Sequence, residues 1–431
     1  MGKRTQPTNF AGLVTANALL DLETYDGIVA DVASANSNTR ELLRRSWFEL
    51  QRVSLLGQGV YSNVHLVVDP ETKLQYALKC LDPKRLSTTG TGTGGSHDSH
   101  EFLDAAKDLA RETALLTKLD HENIIPIRGF CSKSLSESYQ EDGNGFFFFM
   151  DVLQETLKDR LDRWRGDKDM YQPKNRLDPR RFLFKHSSLD LDRLHGRLET
   201  VALGIVRGMR YLHEEQSIVL RDLKPANVGF DATTGQVRLF DFGLSRSIEE
   251  CLPDEVVGTP RYMAPEVMVN QGTSYASDVY SFGVLLYEIA TLKVAFSKQR
   301  SLEDFQKHVV DARARPNLNG IPCLLLCSLI SECWAHDRRQ RPSFREIQNR
   351  LLGILEPPPL ADKPTPTDQG VRKLSSLEVT TKTFPIVDHT DSSLFLEDDE
   401  SRDSRDSHTT GSSCNSTSNT APSSLLNHEA H

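Results

Sequence analysis

Between residues 50 and 68, apolar and polar positions alternate on either side of Gly57-Gln58-Gly59, which predicts two strands joined by a glycine-bearing turn. Another short apolar run follows in Tyr76-Ala77-Leu78-Lys79, a strand that carries a lysine. The spacing becomes helical over 105–119, where Leu109, Leu115, Leu116 and Leu119 share a face with Glu112. The run 146–153 is almost wholly apolar and follows a Gly-Asn-Gly turn, so it reads as a buried strand whose four phenylalanines are core. Further on, 284–292 and 321–330 suit buried helices and are too short to span a bilayer.

At both ends the pattern fails. Residues 1–46 show no sustained periodicity and read as a loosely ordered extension with a short helix near 17–22. From 357 onward Ser, Thr, Pro and Asp replace large apolar residues, so 356–431 is expected to be a disordered tail. The folded domain is therefore placed at 47–355. Two inserts interrupt it: 87–100, rich in Gly and Thr, reads as a flexible linker, and 165–190, rich in Arg, Lys and Asp, as a projecting loop. The first lacks the Gly-Lys-Ser/Thr ending of a phosphate loop.

The chemistry concentrates in Arg221-Asp222-Leu223-Lys224-Pro225-Ala226-Asn227 and, a strand later, Asp241-Phe242-Gly243. Together these supply a proton acceptor (Asp222), a cation (Lys224) and two hard oxygen ligands for Mg²⁺ (Asn227 and Asp241), the parts that phosphoryl transfer from a magnesium nucleotide requires. The migrating group carries dispersed negative charge, so catalysis rests on positioning and electrostatic stabilisation. The glycine turn lets backbone N–H groups approach phosphates. Lys79, on an apolar strand, needs an anion, and Glu112 together with nucleotide phosphates would provide it.

In this order, these motifs and Ala264-Pro265-Glu266 resemble a eukaryotic-type protein kinase over about 47–355, and Cys333-Trp334 with Arg341-Pro342-Ser343-Phe344 is most similar to the tyrosine-kinase-like branch of Ser/Thr kinases. The resemblance implies an α+β, two-lobed fold with a small β-rich lobe and a larger helical one. It implies ATP and Mg²⁺ as cofactors, protein substrates, and a nucleotide site formed by Leu56, Gly57, Gln58, Gly59, Val64, Ala77, Lys79, Asp151 and Leu153. Asp151 and Leu153 lie in the hinge that would read the adenine edge, and Met150 would control access behind it. Catalytic roles are implied for Asp222, Lys224, Lys79, Glu112 and Thr259, the last touching Asp222 and Lys224. Asp278 would hold the catalytic-loop backbone and Arg341 would pair with Glu266. Lys224-Pro225-Ala226-Asn227 and 258–263 resemble the Ser/Thr version of the catalytic and peptide-docking loops, which implies Ser/Thr acceptors and disfavours small-molecule ones.

Three departures from the family pattern matter. Leu220 stands where a His or Tyr is usual, so slower catalysis is expected, and a scaffold with weak or no activity is the alternative function. Ser62 replaces the third loop glycine. Gly229 replaces the apolar floor under adenine, and the Phe240 ring is expected to fill the space. Between Ile248 and Gly258 there is no Ser, Thr or Tyr, yet Glu249, Glu250, Asp254 and Glu255 are present; one of these is expected to pair with Arg221 in place of a phosphate, Ser245 and Ser247 being the surviving phosphorylation candidates.

Composition changes the picture little. A chain of 431 residues with 38% hydrophobic content can bury a two-lobed core. A net charge of −9 disfavours nucleic-acid binding. Seven cysteines, an odd number, read as reduced thiols, with Cys323, Cys327 and Cys333 structural rather than metal-binding. Gly2 without Ser or Thr at position 6 gives no expectation of myristoylation, and a cytoplasmic or nuclear location is expected. The tail is a candidate for autophosphorylation.

Overall fold

The alternation in the first third of the domain becomes strands β1 (Leu43–Arg45), β2 (Gln51–Gln58), β3 (Ser62–Val68), β4 (Gln75–Leu81), β5 (Ile127–Cys131) and β6 (Phe147–Met150). In this computed structural model, which describes residue 10 and residues 16–35, 42–83, 97–140, 145–170 and 188–356, they form one sheet in the order β1-β5-β6-β4-β3-β2. Every pairing is antiparallel except β1 with β5. The register sets Val64 opposite both Gly57 and Lys79, which lines up the glycine turn with the lysine across three strands. Phe146 to Phe149 are fully buried, with Phe147 edge-on to Trp47 and Phe149 against Tyr76. Gly129 permits β1 to join, because a Cβ there would lie 2.1 Å from the Leu43 carbonyl oxygen.

Among the described residues this lobe also has α1 (Ala16–Ala35), α2 (His97–Lys118) and the short α3 (Leu135–Ser138). The extension 1–46 is thus more structured than the sequence suggests. Its helix is longer than 17–22 and packs on α2 and α3, and 43–45 is a sheet strand. The face of α1 that buries Ala18 and Leu22 was hidden in the sequence by Leu20, which is apolar but exposed. α2 starts at His97, inside the expected linker 87–100, and the linker's residues 87–96 lie outside the described residues.

The larger lobe begins with β7 (Leu153–Thr156), which forms a second sheet with β9 (Val228–Asp231) and β10 (Val237–Leu239); β8 (Ile218–Val219) pairs with β11 (Arg246–Ser247). Around these pack α4 (Leu157–Met170), α5 (Ser188–Arg197), α6 (Leu203–Arg210), α7 (Pro265–Met268), α8 (Tyr275–Thr291), α9 (Leu302–Phe305), α10 (Leu324–Cys333) and α11 (Phe344–Leu355). Both ends of the expected loop 165–190 are therefore helical, and 171–187 lies outside the described residues, as does 357–431 of the tail.

α8 is the lobe's axis, buried on all sides from Ser277 to Ile289. The Glu266 carboxylate of α7 takes two hydrogen bonds from Arg341, at 2.6 and 2.8 Å, and the guanidinium also reaches the Ala335 and Ala276 carbonyls. A buried pair stabilises only when its remaining donors are satisfied in this way. Among the described residues, no helix is long and apolar enough to cross a membrane.

Candidate active site

Lys79 leaves β4 toward α2 and is met by two carboxylates. Its Nζ lies 2.7 and 2.9 Å from the Glu112 oxygens and 2.8 Å from Asp241 Oδ1. Glu112 also accepts from the Phe242 backbone N–H at 3.1 Å, so one helix residue holds both the lysine and the Asp-Phe-Gly segment. Burial works to lower the Lys79 pKa, but the facing Asp241 and Glu112 charges outweigh it and raise the value overall. The Lys79 ammonium holds the Asp241 carboxyl below its ordinary range, whereas burial pushes Glu112 upward. Glu112 is 3% exposed and Asp241 43%, so Asp241 keeps a face open for another ligand.

The loop between β8 and β9 is hung from α8. Asp278 accepts from the Leu220 and Arg221 backbone N–H groups at 2.8 and 2.9 Å and meets His213 Nε2 at 2.9 Å. Arg221 and Asp241 both have left-handed backbone, φ 71° and 64°, a cost tolerated where the surroundings over-determine the geometry. Leu220 is buried in the same core as Phe242, and its backbone still makes the bond to Asp278.

Asp222 is gripped on both oxygens. Oδ1 accepts from Thr259 N–H at 3.0 Å and Thr259 Oγ1 at 2.7 Å, while Oδ2 accepts from Asn227 Nδ2 at 3.1 Å and lies 2.8 Å from Lys224 Nζ. Lys224 Nζ also donates to Thr259 Oγ1 at 2.9 Å. The approach of Thr259 depends on Gly258, whose φ is 109° and where a Cβ would sit 2.5 Å from the Arg221 carbonyl oxygen. The Asn227 amide nitrogen is spent on Asp222, through its side chain and its carbonyl, which leaves the Asn227 oxygen as a ligand. With the open face of Asp241, that oxygen gives a hard donor set suited to Mg²⁺.

The expected nucleotide residues divide into those the fold brings together and those it turns away. Val64, Ala77 and Lys79 lie in register on adjacent strands, and Ala77 pairs with Met150, next to the hinge. Gly59 closes the turn by donating its N–H to the Ser62 carbonyl at 2.7 Å, and a Cβ at Gly57 would meet nothing within 4 Å. Leu56 is 49% exposed, and Gln58 is bonded to Asn63. The Asp151 side chain is held by Arg128 at 2.6 and 2.7 Å, which leaves its backbone for recognition. At Gly229 the vacated space is shared: a Cβ there would meet Leu153 Cδ1 at 2.5 Å and Phe240 Cε1 at 3.2 Å. Phe240 fills it as expected, but Leu153 comes closer.

Of the four acidic candidates, Glu255 is the one that pairs with Arg221, at 2.7 Å, and the guanidinium is almost fully enclosed. Sequence reasoning missed Arg128, His213 and the pair Arg246–Asp108 at 3.0 Å, which ties the segment after Asp-Phe-Gly to α2. Each joins positions far apart in the chain, with no local spacing to reveal it.

A protein kinase domain profile matches residues 50–351. The dual specificity protein kinase shkE of Dictyostelium discoideum is 35% identical over 310 residues, covering 70% of this chain and 36% of that protein. The serine/threonine-protein kinase VIK of Arabidopsis thaliana is 39% identical over 164 residues, 36% of this chain and 37% of that protein. The dual specificity protein kinase shkD of Dictyostelium discoideum is 28% identical over 309 residues, 71% of this chain and 35% of that protein. The chain thus spans about a third of the length of these curated relatives.

If the Phe240 ring and Leu153 together replace an apolar floor, Phe240→Ala should weaken nucleotide binding about fivefold, the equivalent of about 1 kcal/mol of lost apolar contact. Calorimetric titration with an ATP analogue checks this, and an unchanged Kd would remove Phe240 from the floor.

Proposed function

The chain belongs to the eukaryotic-type protein kinase family, and on that premise we propose that it transfers the γ-phosphoryl group of Mg-ATP to Ser and Thr hydroxyls of proteins. The observation that carries this reading is the simultaneous closure of two clusters, Lys79–Glu112–Asp241 and Asp222–Lys224–Thr259. The catalytic domain in this reading covers 47–355, with the strand Leu43–Arg45 added at the edge of its sheet.

Lys79, held by Glu112, would face the nucleotide phosphates, and Asn227 and Asp241 are the residues that would hold Mg²⁺. Bound Mg²⁺ neutralises charge on the phosphate oxygens. Asp222 orients the acceptor hydroxyl and takes its proton, and its direction is set by the donors from Thr259, Asn227 and Lys224. Lys224, beside it, counters charge on the group in transfer. The backbone of the glycine turn and of Asp151 bounds the nucleotide.

Thr259, bound at once to Asp222 and Lys224, supports Ser/Thr acceptors. Two relatives named as dual specificity kinases favour a second reading in which Tyr is also accepted, and phosphoamino-acid analysis of the product separates the two. The scaffold alternative draws on Leu220 and Gly229, but neither supplies a reacting group. Tail autophosphorylation remains part of the proposal.

With labelled ATP, Mg²⁺ and a generic basic protein, the wild type should transfer phosphate, while Asp222→Asn and Lys79→Met should each lose at least about 10²-fold. Nucleotide binding without transfer in the wild type would put the scaffold first.

Because Glu255 supplies the charge facing Arg221, phosphatase-treated enzyme should keep its rate, and Glu255→Ala should lose roughly fivefold, the discounted worth of a pair with one partly exposed partner. Loss of activity on phosphatase treatment, with Glu255→Ala unaffected, would return the role to Ser245 or Ser247.

A further inference from the structure

Helix α1 lies outside the catalytic cluster, yet it covers the helix that carries Glu112. Buried positions on α2 include Leu109, Thr113 and Leu116 but also Phe102, Leu103, Ala106 and Ala110. That arc is wider than the stripe of about 100° that packing on a single surface requires. Both the sheet and α1 lie against α2.

The α1 contacts are specific. Leu22 is fully buried and Ala18 nearly so. The Tyr25 ring faces two cations of α2, Lys107 Nζ at 5.3 Å and Arg111 Cζ at 5.4 Å from its centroid, and its hydroxyl accepts from Arg111 Nη2 at 3.0 Å. Asp26 accepts from Ser136 N–H at 3.1 Å and Ser136 Oγ at 2.5 Å, which fastens α1 to α3. Phe10 sits edge-on to Tyr139 at 5.0 Å and tilted against Phe102 at 5.9 Å.

From this contact a continuous path runs to the metal-ligand segment. Arg111 Nη1 pairs with Asp108 at 3.3 Å, Asp108 pairs with Arg246 Nη2 at 3.0 Å, and Arg246 Nη1 donates to the Ser245 and Gly243 carbonyls at 2.8 and 3.2 Å. Gly243 closes the Asp-Phe-Gly motif, whose Phe242 N–H is bound by Glu112. Tyr25 and Glu112 therefore bear on the same segment from opposite ends of one network.

We propose that α1 is a positioning element for the Lys79–Glu112 pair, with Asp26 anchoring α1 to α3 and Leu22 and Tyr25 holding α2 at the height where Glu112 reaches both Lys79 and the Phe242 N–H. A helix that only patched apolar surface would stabilise the lobe without bearing on that pair. A helix that positions α2 sets the fraction of molecules in which the pair is closed, and so the turnover. The proposal rests on the kinase reading for its rate measurement and is independent of it for its structural one.

The test uses the full chain with Leu22→Asp, which opposes docking, Asp26→Ala, which removes two hydrogen bonds and little apolar surface, and Leu20→Asp as a control on the exposed side of the same helix, where Leu20 is 60% exposed. Turnover on a protein acceptor is measured beside amide hydrogen exchange of Phe242 and of α8. The first two variants should lose at least about fivefold in kcat with little change in acceptor KM, and Phe242 exchange should quicken while α8 exchange stays slow. Leu20→Asp should match the wild type. Should Leu22→Asp fail to fold, Asp26→Ala alone decides. Wild-type kcat together with wild-type Phe242 exchange in Asp26→Ala and Leu22→Asp would overturn the proposal. A wild type without activity would defeat the kinase reading alone, and Phe242 exchange would then decide this one: quickened in both variants it stands, unchanged it falls.

Discussion

An ammonium group on an interior strand cannot be left without a counter-charge, and Lys79, 12% exposed, has two carboxylates within 3 Å. Glu112 comes from α2 and Asp241 from the segment after β10, so satisfying one buried cation fixes the helix, the sheet and the Asp-Phe-Gly segment relative to each other. The two carboxylates are not equivalent. Glu112 is enclosed and serves the lysine, whereas Asp241 is partly open and depressed in pKa by Lys79, so it stays charged with one face free.

The second cluster is built by the same logic of buried groups finding partners. Asp278 fastens two successive backbone N–H groups of the loop between β8 and β9 to α8, which is buried from Ser277 to Ile289. That anchorage holds Arg221 in a backbone conformation that side chains disfavour, with Glu255 paired to Arg221 and Thr259 steering the neighbouring Asp222. Leu220 shows the limit of what its substitution costs: the backbone bond to Asp278 survives, and only the side chain differs from the usual ring.

Much of this was legible in the chain because the relevant residues carry local contradictions. A lysine on the apolar strand 76–79 and a glutamate on the leucine face of 105–119 each demand a partner, and each found the other. Gly229 advertised a missing floor, but the Leu153 contribution was invisible, since the β7–β9 pairing that brings it there is a long-range contact. Likewise Arg128 on β5 and Asp151 after β6 are ordinary surface types until strand pairing sets them side by side. The sequence understates α1 because Leu20 faces out while Ala18 and Leu22 face in, so the apolar periodicity that marks a docking face is blurred.

Glu112, by holding Lys79 and the Phe242 N–H at once, brings the two lobes' parts of the site together. The most direct measurement is single-turnover phosphate transfer by Glu112→Gln, which keeps the side chain's size and removes its charge, with amide exchange of α8 confirming that the larger lobe is intact. A rate lowered by at least about tenfold with that lobe unchanged is the predicted result. A rate equal to that of the wild type would contradict the account, since the site would then assemble without the interaction on which it is said to depend.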